Sequence, residues 1–80
     1  MLVYIEQKYK LEITECFWCT SEFRGVLVKL YRIALYDQRS NELLSDIRVH
    51  EDEILHHLND ILPLYYLQIR NEIKSKLKLN

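Results

Sequence analysis

The chain of 80 residues contains one glycine, one proline and two cysteines. Rossmann and P-loop nucleotide sites need several glycines in one short loop, so a lone Gly25 argues against both. Two cysteines are too few for the disulfide framework of a small secreted domain. No apolar run approaches the roughly 18 residues that span a membrane. The N-terminal apolar segment meets Glu6 too early to form a signal-peptide core. These absences predict a soluble, intracellular, cytoplasmic protein.

The composition is 49% hydrophobic and 29% charged, which is typical of a globular protein. A mass of 9.8 kDa predicts one domain over residues 1–80 with a modest core. The net charge of −1 predicts no global attraction to nucleic acid or membrane. The charges are uneven, however, because residues 37–60 are acidic and residues 63–80 are basic.

Three segments show the alternation of a strand with one buried face. The first runs from Tyr9 to Phe17, and the second covers residues 26–36, rich in β-branched and aromatic types. The third begins at Leu43 and ends at Val49. Residues 2–5 either begin the first strand or pair separately, with a bend at residues 6–8. A hairpin loop over residues 20–25 and a turn over residues 37–41 complete a three-stranded antiparallel meander.

An alternative for residues 15–24 is a short helix, with Thr14 as its N-cap and Gly25 just past its end. Cys, Phe, Trp and Thr form helices poorly, which favours the strand. After Val49 the apolar period changes to about 3.6 residues, and Glu51, Asp52 and Glu53 suit a first helical turn. Pro63 should break or kink the helix. The predicted fold is therefore α+β in the order β-β-β-α-α, with the meander packed against one kinked or two C-terminal helices.

The predicted turns place the odd-numbered residues of all three strands on one face, which the helices would cover. That face holds Leu11, Ile13, Phe17, Leu27, Tyr31, Ile33, Leu35, Leu43, Ile47 and Val49. The opposite face is polar on the outer strands but apolar on the central one. An exposed apolar patch of this kind indicates a partner, with a second copy of the chain as the first choice. With the stripe of the second helix, the predicted interface is Trp18, Val26, Val28, Leu30, Ala34, Tyr36, Tyr65, Tyr66, Ile69 and Ile73.

A zinc site is the main metal hypothesis, built on the spacing of Cys16 and Cys19. His50, His56 and His57 are the residues that would complete four ligands. Residues three apart on a regular strand point to opposite faces, and adjacent helical residues differ by about 100°. The spacing therefore favours cysteines packed as small apolar residues, and neither a metal nor another cofactor is expected.

Two further functions have a residue basis. His50 beside three carboxylates resembles an acid–base cluster. Helix capping explains those carboxylates, however, and no activated nucleophile is evident. We therefore expect no enzyme activity and no small-molecule substrate. Basic residues near aromatic ones suggest nucleic-acid binding through the sheet face and the C-terminal helix. The residues for that alternative are Lys8, Lys10, Arg32, Arg48, Arg70, Lys74 and Lys78.

The sequence thus favours a small non-enzymatic interaction module, such as a regulator, inhibitor or accessory subunit. We expect it to bind a protein partner and to form a homodimer. Nucleic-acid binding is the alternative, and no membrane association is expected.

Overall fold

The computed structural model describes the backbone of residues 1–19 and 27–79, and the side chains of residues 1–16 and 29–79. Four strands come first: β1 (Leu2–Ile5), β2 (Tyr9–Cys19), β3 (Leu27–Asp37) and β4 (Leu43–His50). A 3-10 turn (Glu51–Glu53) and two helices, α1 (Ile54–Ile61) and α2 (Tyr66–Leu77), follow. The α+β class and the order of sheet before helices are confirmed. The number of strands is four, not three.

The chain divides into two compact units, Met1–His50 and Glu51–Asn80. The first unit is an antiparallel sheet in the order β1-β2-β3-β4. The second unit holds the 3-10 turn and both helices. The prediction that the helices cover the sheet stays a prediction, as does that of a single domain.

Residues 2–5, for which the sequence allows two interpretations, form the separate strand β1, which pairs with β2. A turn over residues 6–8 joins them, with the Lys8 N–H donating to the Ile5 carbonyl at 2.9 Å. Glu6 and Gln7 adopt positive φ angles of 49° and 60°. Such a turn usually carries Asn or Gly, so its residues here give no hairpin signal. This is the physical reason why the sequence predicts one strand too few.

The pairing of β2 with β3 places Ile13 opposite Ile33 and Leu11 opposite Leu35. Directly opposed residues share a face, so the odd-numbered residues of β1, β2 and β3, with Ser45, Ile47 and Val49 of β4, form one surface, the odd face. Its apolar members Val3, Ile5, Leu11, Ile13, Tyr31, Ile33, Leu35 and Val49 are buried. The predicted buried face is therefore confirmed for six residues: Leu11, Ile13, Tyr31, Ile33, Leu35 and Val49. Its members Phe17 and Leu27 lie outside the described side chains, and Ile47 is 39% exposed.

A register shift next to Leu35 and Tyr36 changes one predicted position. Leu35 pairs with Ser45, but Tyr36 pairs with Leu43, so β4 carries one extra residue there. The extra residue moves Leu43 to the face of Tyr36. The assignment of Leu43 to the odd face is therefore wrong. Leu43 belongs to the even face, formed by the even-numbered residues of β1 to β4 together with Leu43.

The change of period after Val49 corresponds to the start of the helical unit. The three carboxylates form a 3-10 turn ahead of α1, rather than its first helical turn. The C-cap of α1 is Leu62, and Pro63 follows it, so the helix breaks rather than kinks. Ile54, Leu58 and Leu62 are buried in the first half of this unit, and Ile69 and Ile73 in the second. The predicted hairpin loop, and the alternative helix beyond Cys19, lie outside the described residues.

Two isoleucines that face each other across β3 and β4 give a matched test of this register. Ile33 is fully buried, whereas its partner Ile47 is 39% exposed. We expect Ile33→Ala to lower the free energy of unfolding by about 2–5 kcal/mol, because a buried isoleucine leaves a cavity. Ile47→Ala should cost the single chain about 1 kcal/mol or less, since its side chain there contacts water. Urea denaturation of dilute, monomeric protein measures both, and equal losses would contradict the assignment of faces.

Candidate functional site

The strongest surface feature is a row of side chains that crosses the even face. Tyr4, Lys10, Tyr36 and Leu43 oppose one another on the four strands, and we call them the Tyr4 row. Tyr4 is 60% exposed and Leu43 is 47% exposed. Tyr36 is half-buried, and the Lys10 ammonium lies 4.7 Å from the centre of its ring. The row thus offers two tyrosines and a leucine around one cation.

The next row across the even face consists of Leu2, Glu12, Ala34 and Asp46, and two of its members are acidic. Arg32 donates two hydrogen bonds to the Asp46 carboxylate, at 2.9 and 2.8 Å, and lies 3.5 Å from a Glu12 oxygen. Glu12 and Asp46 are the two cross-strand partners of Ala34. The guanidinium therefore bridges the two residues that flank Ala34. The hydrogen bond to Asp46, and to a smaller extent that to Tyr36, raises the pKa of Arg32 above its ordinary value.

This bridge alters the predicted apolar patch. Ala34 is fully buried, so it adds no accessible surface, contrary to its expected place in an exposed patch. Leu30 and Tyr36 are half-buried rather than exposed. Val26, and the side chains of Trp18 and Val28, lie outside the described part of the structure. The middle of the even face is charged, and its described exposed apolar groups, Leu2 among them, lie at the strand ends.

Leu2, Tyr4 and Leu43 are accessible residues that the sequence pattern does not identify as interface candidates. The burial of β1 alternates between exposed and buried residues, but Leu2 to Ile5 are all apolar, so the sequence itself carries no period-2 signal of an accessible face. Recognising Leu2 and Tyr4 required treating residues 2–5 as a separate strand. Placing Leu43 on the even face required knowledge of the bulge, which no residue type in the sequence indicates.

The predicted interface on the second helix also changes. Ile69 and Ile73 are buried, so neither is accessible, and their expected place on an open helical stripe is not met. The apolar residues of α2 recur on its buried side, so the amphipathic period of this helix identifies that side. Their apolar character is explained by burial rather than by docking to a partner. Tyr65 and Tyr66 are half-buried. The exposed apolar residues of this unit are instead Leu64, at 90%, and Leu67, at 78%.

The zinc hypothesis gains no support from the described geometry. Cys16 pairs with Leu30, and Leu30 pairs with His50, so the Cα atoms of Cys16 and His50 are two strands apart, or roughly 10 Å. The pairing of β2 continues in register to Cys19 without a bulge that would bring the cysteines together. His56 lies 3.6 Å from Asp60, and His57 is half-buried. Among the described residues, no group of three or more His, Cys, Asp or Glu side chains is placed to hold a metal.

The basic residues of the nucleic-acid alternative fall on separate surfaces. On the sheet, Arg32 is paired with acids, and Lys10 contacts Tyr36 and donates to the Asn41 side chain at 3.2 Å. Lys8 and Arg48 are exposed. On the helical unit, Arg70, Lys74 and Lys78 recur every four residues and so run along one side. The described structure gives these three residues no ion pair, whereas Lys76 pairs with Glu72 at 3.6 Å.

An open depression lies where two sheet turns meet, lined by Lys8, Tyr9, Asp37 and Arg39. Its volume is about 290 Å³, at the lower limit for small-molecule sites, and charged side chains dominate its lining. The Asp37 carboxylate accepts hydrogen bonds from the Ser40 and Arg39 amides, which lower its pKa. The Asp37 carboxylate therefore stabilises this turn through its hydrogen bonds to the backbone.

Comparisons of the chain with protein families, with curated proteins and with solved structures gave no match. Within the described part of the chain, neither helix has the length and apolar character needed to cross a membrane. The function must therefore be inferred from the surfaces described above.

The pairing of Asp46 with Arg32 predicts a specific dependence of stability on pH. The hydrogen bonds from Arg32 lower the pKa of Asp46 below its ordinary value of 3.8. A lowered folded-state pKa contributes stability that is present above pH 3.8 and lost as the pH falls through the folded value. We expect Asp46→Asn to remove part of the acid-induced loss of stability, as measured by urea unfolding from about pH 5 to about pH 2.

Arg32→Gln is the control for this prediction. It should remove the same part of the acid dependence, and the double variant should remove no more than either single variant. Additive effects of the two substitutions would show that Asp46 and Arg32 do not act as a pair.

Proposed function

We propose that this protein is a non-enzymatic interaction module that binds a protein partner through the Tyr4 row and works as a homodimer. The observation that carries the proposal is the exposure of Tyr4 and Leu43 at the two ends of one row across a paired sheet. Tyrosine is enriched at protein interfaces because its ring supplies a large contact area and its hydroxyl can hydrogen-bond. Strand pairing holds the row in place, so little order is lost on binding.

The charges around the row favour a protein over a nucleic acid. Arg32 already contacts Asp46 and Glu12, and Lys10 already contacts Tyr36 and Asn41. Two acidic side chains beside the row would repel a phosphate backbone. A protein surface can match this mixture of apolar and paired charged groups. A regulator, inhibitor or accessory subunit is the kind of protein that such a surface suits.

A capture experiment with three forms of the chain tests the proposed surface. Immobilised wild type should retain a specific protein from an extract of the source cells. The double variant Tyr4→Ser with Leu43→Ser should retain it at least about tenfold less, since central aromatic and apolar contacts dominate most interfaces. Quantitative mass spectrometry of the retained proteins gives the ratio.

The control variant is Leu67→Ser, which removes an even more exposed apolar side chain from α2. It should retain the same protein as the wild type. If no retained protein depends on Tyr4 and Leu43, or if every dependence is shared by Leu67→Ser, the proposed use of the Tyr4 row is wrong.

The second candidate function is nucleic-acid binding by α2. The unpaired cations Arg70, Lys74 and Lys78 on one side of this helix favour it. Fluorescence anisotropy with labelled single-stranded RNA at low salt distinguishes the two functions. We expect no binding, because the net charge of the chain is −1. Binding that is lost in Arg70→Glu with Lys74→Glu, but kept in Lys8→Glu with Lys10→Glu, would establish this alternative instead.

A further inference from the structure

The strand β4 forms one edge of the sheet, and five of its eight side chains are exposed: Leu43, Leu44, Asp46, Ile47 and Arg48. Nothing in the described chain pairs with its outer edge. Exposed edges usually carry a proline, charged side chains, a bulge or a short strand, which discourages pairing with another chain. The bulge in β4 lies at its beginning, Ser45 to His50 continues without proline or lysine, and its two charged residues, Asp46 and Arg48, have opposite signs. This edge is therefore open to another strand.

We infer that two copies of this chain join through β4, antiparallel and centred on Ile47, into one continuous eight-stranded sheet. The inference rests on the homodimer of the proposed function and names the strand and register that form it. It leaves the Tyr4 row of each copy open for the protein partner.

The charges on β4 select this register. A two-fold axis perpendicular to the sheet keeps the even faces of both copies on the same side, so opposed residues must both be even or both be odd. Centring on Asp46 would oppose the two Asp46 carboxylates, and centring on Arg48 would oppose the two Arg48 guanidiniums. Centring on Ile47 places Asp46 of each copy opposite Arg48 of the other. Opposite charges in directly opposed positions are favourable, whereas like charges are not.

The remaining contacts agree with the same register. Arg48 is exposed and forms no ion pair within 4 Å in the described structure, although after Arg32 its charge also helps to lower the pKa of Asp46 in its own chain. The second copy would give Arg48 a directly opposed carboxylate. Asp46 keeps its hydrogen bonds to Arg32 and is ionised at neutral pH. The exposed Ile47 side chains would meet each other at the axis and lose contact with water. Leu44 would lie opposite His50.

Disulfide trapping tests the register directly. In a chain carrying Cys16→Ala and Cys19→Ala, we expect Ile47→Cys to form a disulfide-linked dimer under mild oxidation with glutathione disulfide. Directly opposed β-carbons lie about 4.5–5.5 Å apart, close to the separation in a disulfide. The matched control is Ser45→Cys on the same face, whose two copies would be roughly 14 Å apart in this register and stay unlinked.

Charge reversal tests the same register without new cysteines. Sedimentation equilibrium of the wild type should give a mass above the 9.8 kDa of one chain, rising towards twice that value with concentration. Arg48→Asp should weaken the dimer about tenfold, because two attractive pairs become repulsive. Arg70→Asp makes the same change of charge on α2 and should leave the dimer unchanged.

A wild type that stays at the mass of one chain at all concentrations overturns the inference. So do equal crosslinking of Ile47→Cys and Ser45→Cys, a failure of Ile47→Cys to crosslink, or an unchanged dimer in Arg48→Asp. A wild type that stays at the mass of one chain would also contradict the homodimer of the proposed function, whereas the other results contradict only the strand and register. None of them affects the capture of a partner by the Tyr4 row, so the proposed surface and this inference fail independently.

Discussion

The antiparallel register of β2 against β3 is the constraint on which the rest of this structure depends. Ile13 opposes Ile33 and Leu11 opposes Leu35, so the apolar residues of both strands reach the same buried face. A shift of one residue would expose this set and bury Arg32 and Glu12. The free-energy cost of burying those charges without full solvation makes the observed register strongly preferred.

The same register determines what the even face can do. It brings Arg32 within 3.5 Å of Glu12, and the pairing of β3 with β4 brings the same guanidinium to Asp46, so the three side chains pair with one another. The centre of this face is therefore occupied by contacts within the chain. Accessible apolar groups remain at the strand ends, at Leu2, Tyr4 and Leu43, and on the β4 edge. A surface of this kind suits contacts with protein better than contacts with phosphate groups.

Period and residue type predicted much of this fold. The alternation in residues 9–17, 26–36 and 43–49 located three strands, and Pro63 located the break between the helices. A bend at residues 6–8 was predicted, but a hairpin turn there was not, because neither Glu6 nor Gln7 favours a positive φ angle. Leu43 was misplaced because a bulge depends on tertiary pairing and leaves no mark in the residue types.

The candidate site was harder to predict than the strands, because a period identifies a face but not what covers it. Ala34 lies on the expected face, yet it is fully buried between two cross-strand neighbours, Glu12 and Asp46, that Arg32 bridges. Ile69 and Ile73 lie on the apolar side of α2, which is its buried side. In both cases the apolar pattern was read correctly, and accessibility depended on neighbouring side chains.

Nitration of tyrosines in the native chain tests the central claim, that one sheet face is buried and the Tyr4 row is open, most directly. Tyr4 is 60% exposed and Tyr31 is 2% exposed, so they form a matched pair on opposite faces. Peptide mass spectrometry after brief treatment with tetranitromethane should find Tyr4 nitrated and Tyr31 unmodified, even when the protein is dimeric. Nitration of Tyr31 as fast as Tyr4 in the folded protein would contradict the account.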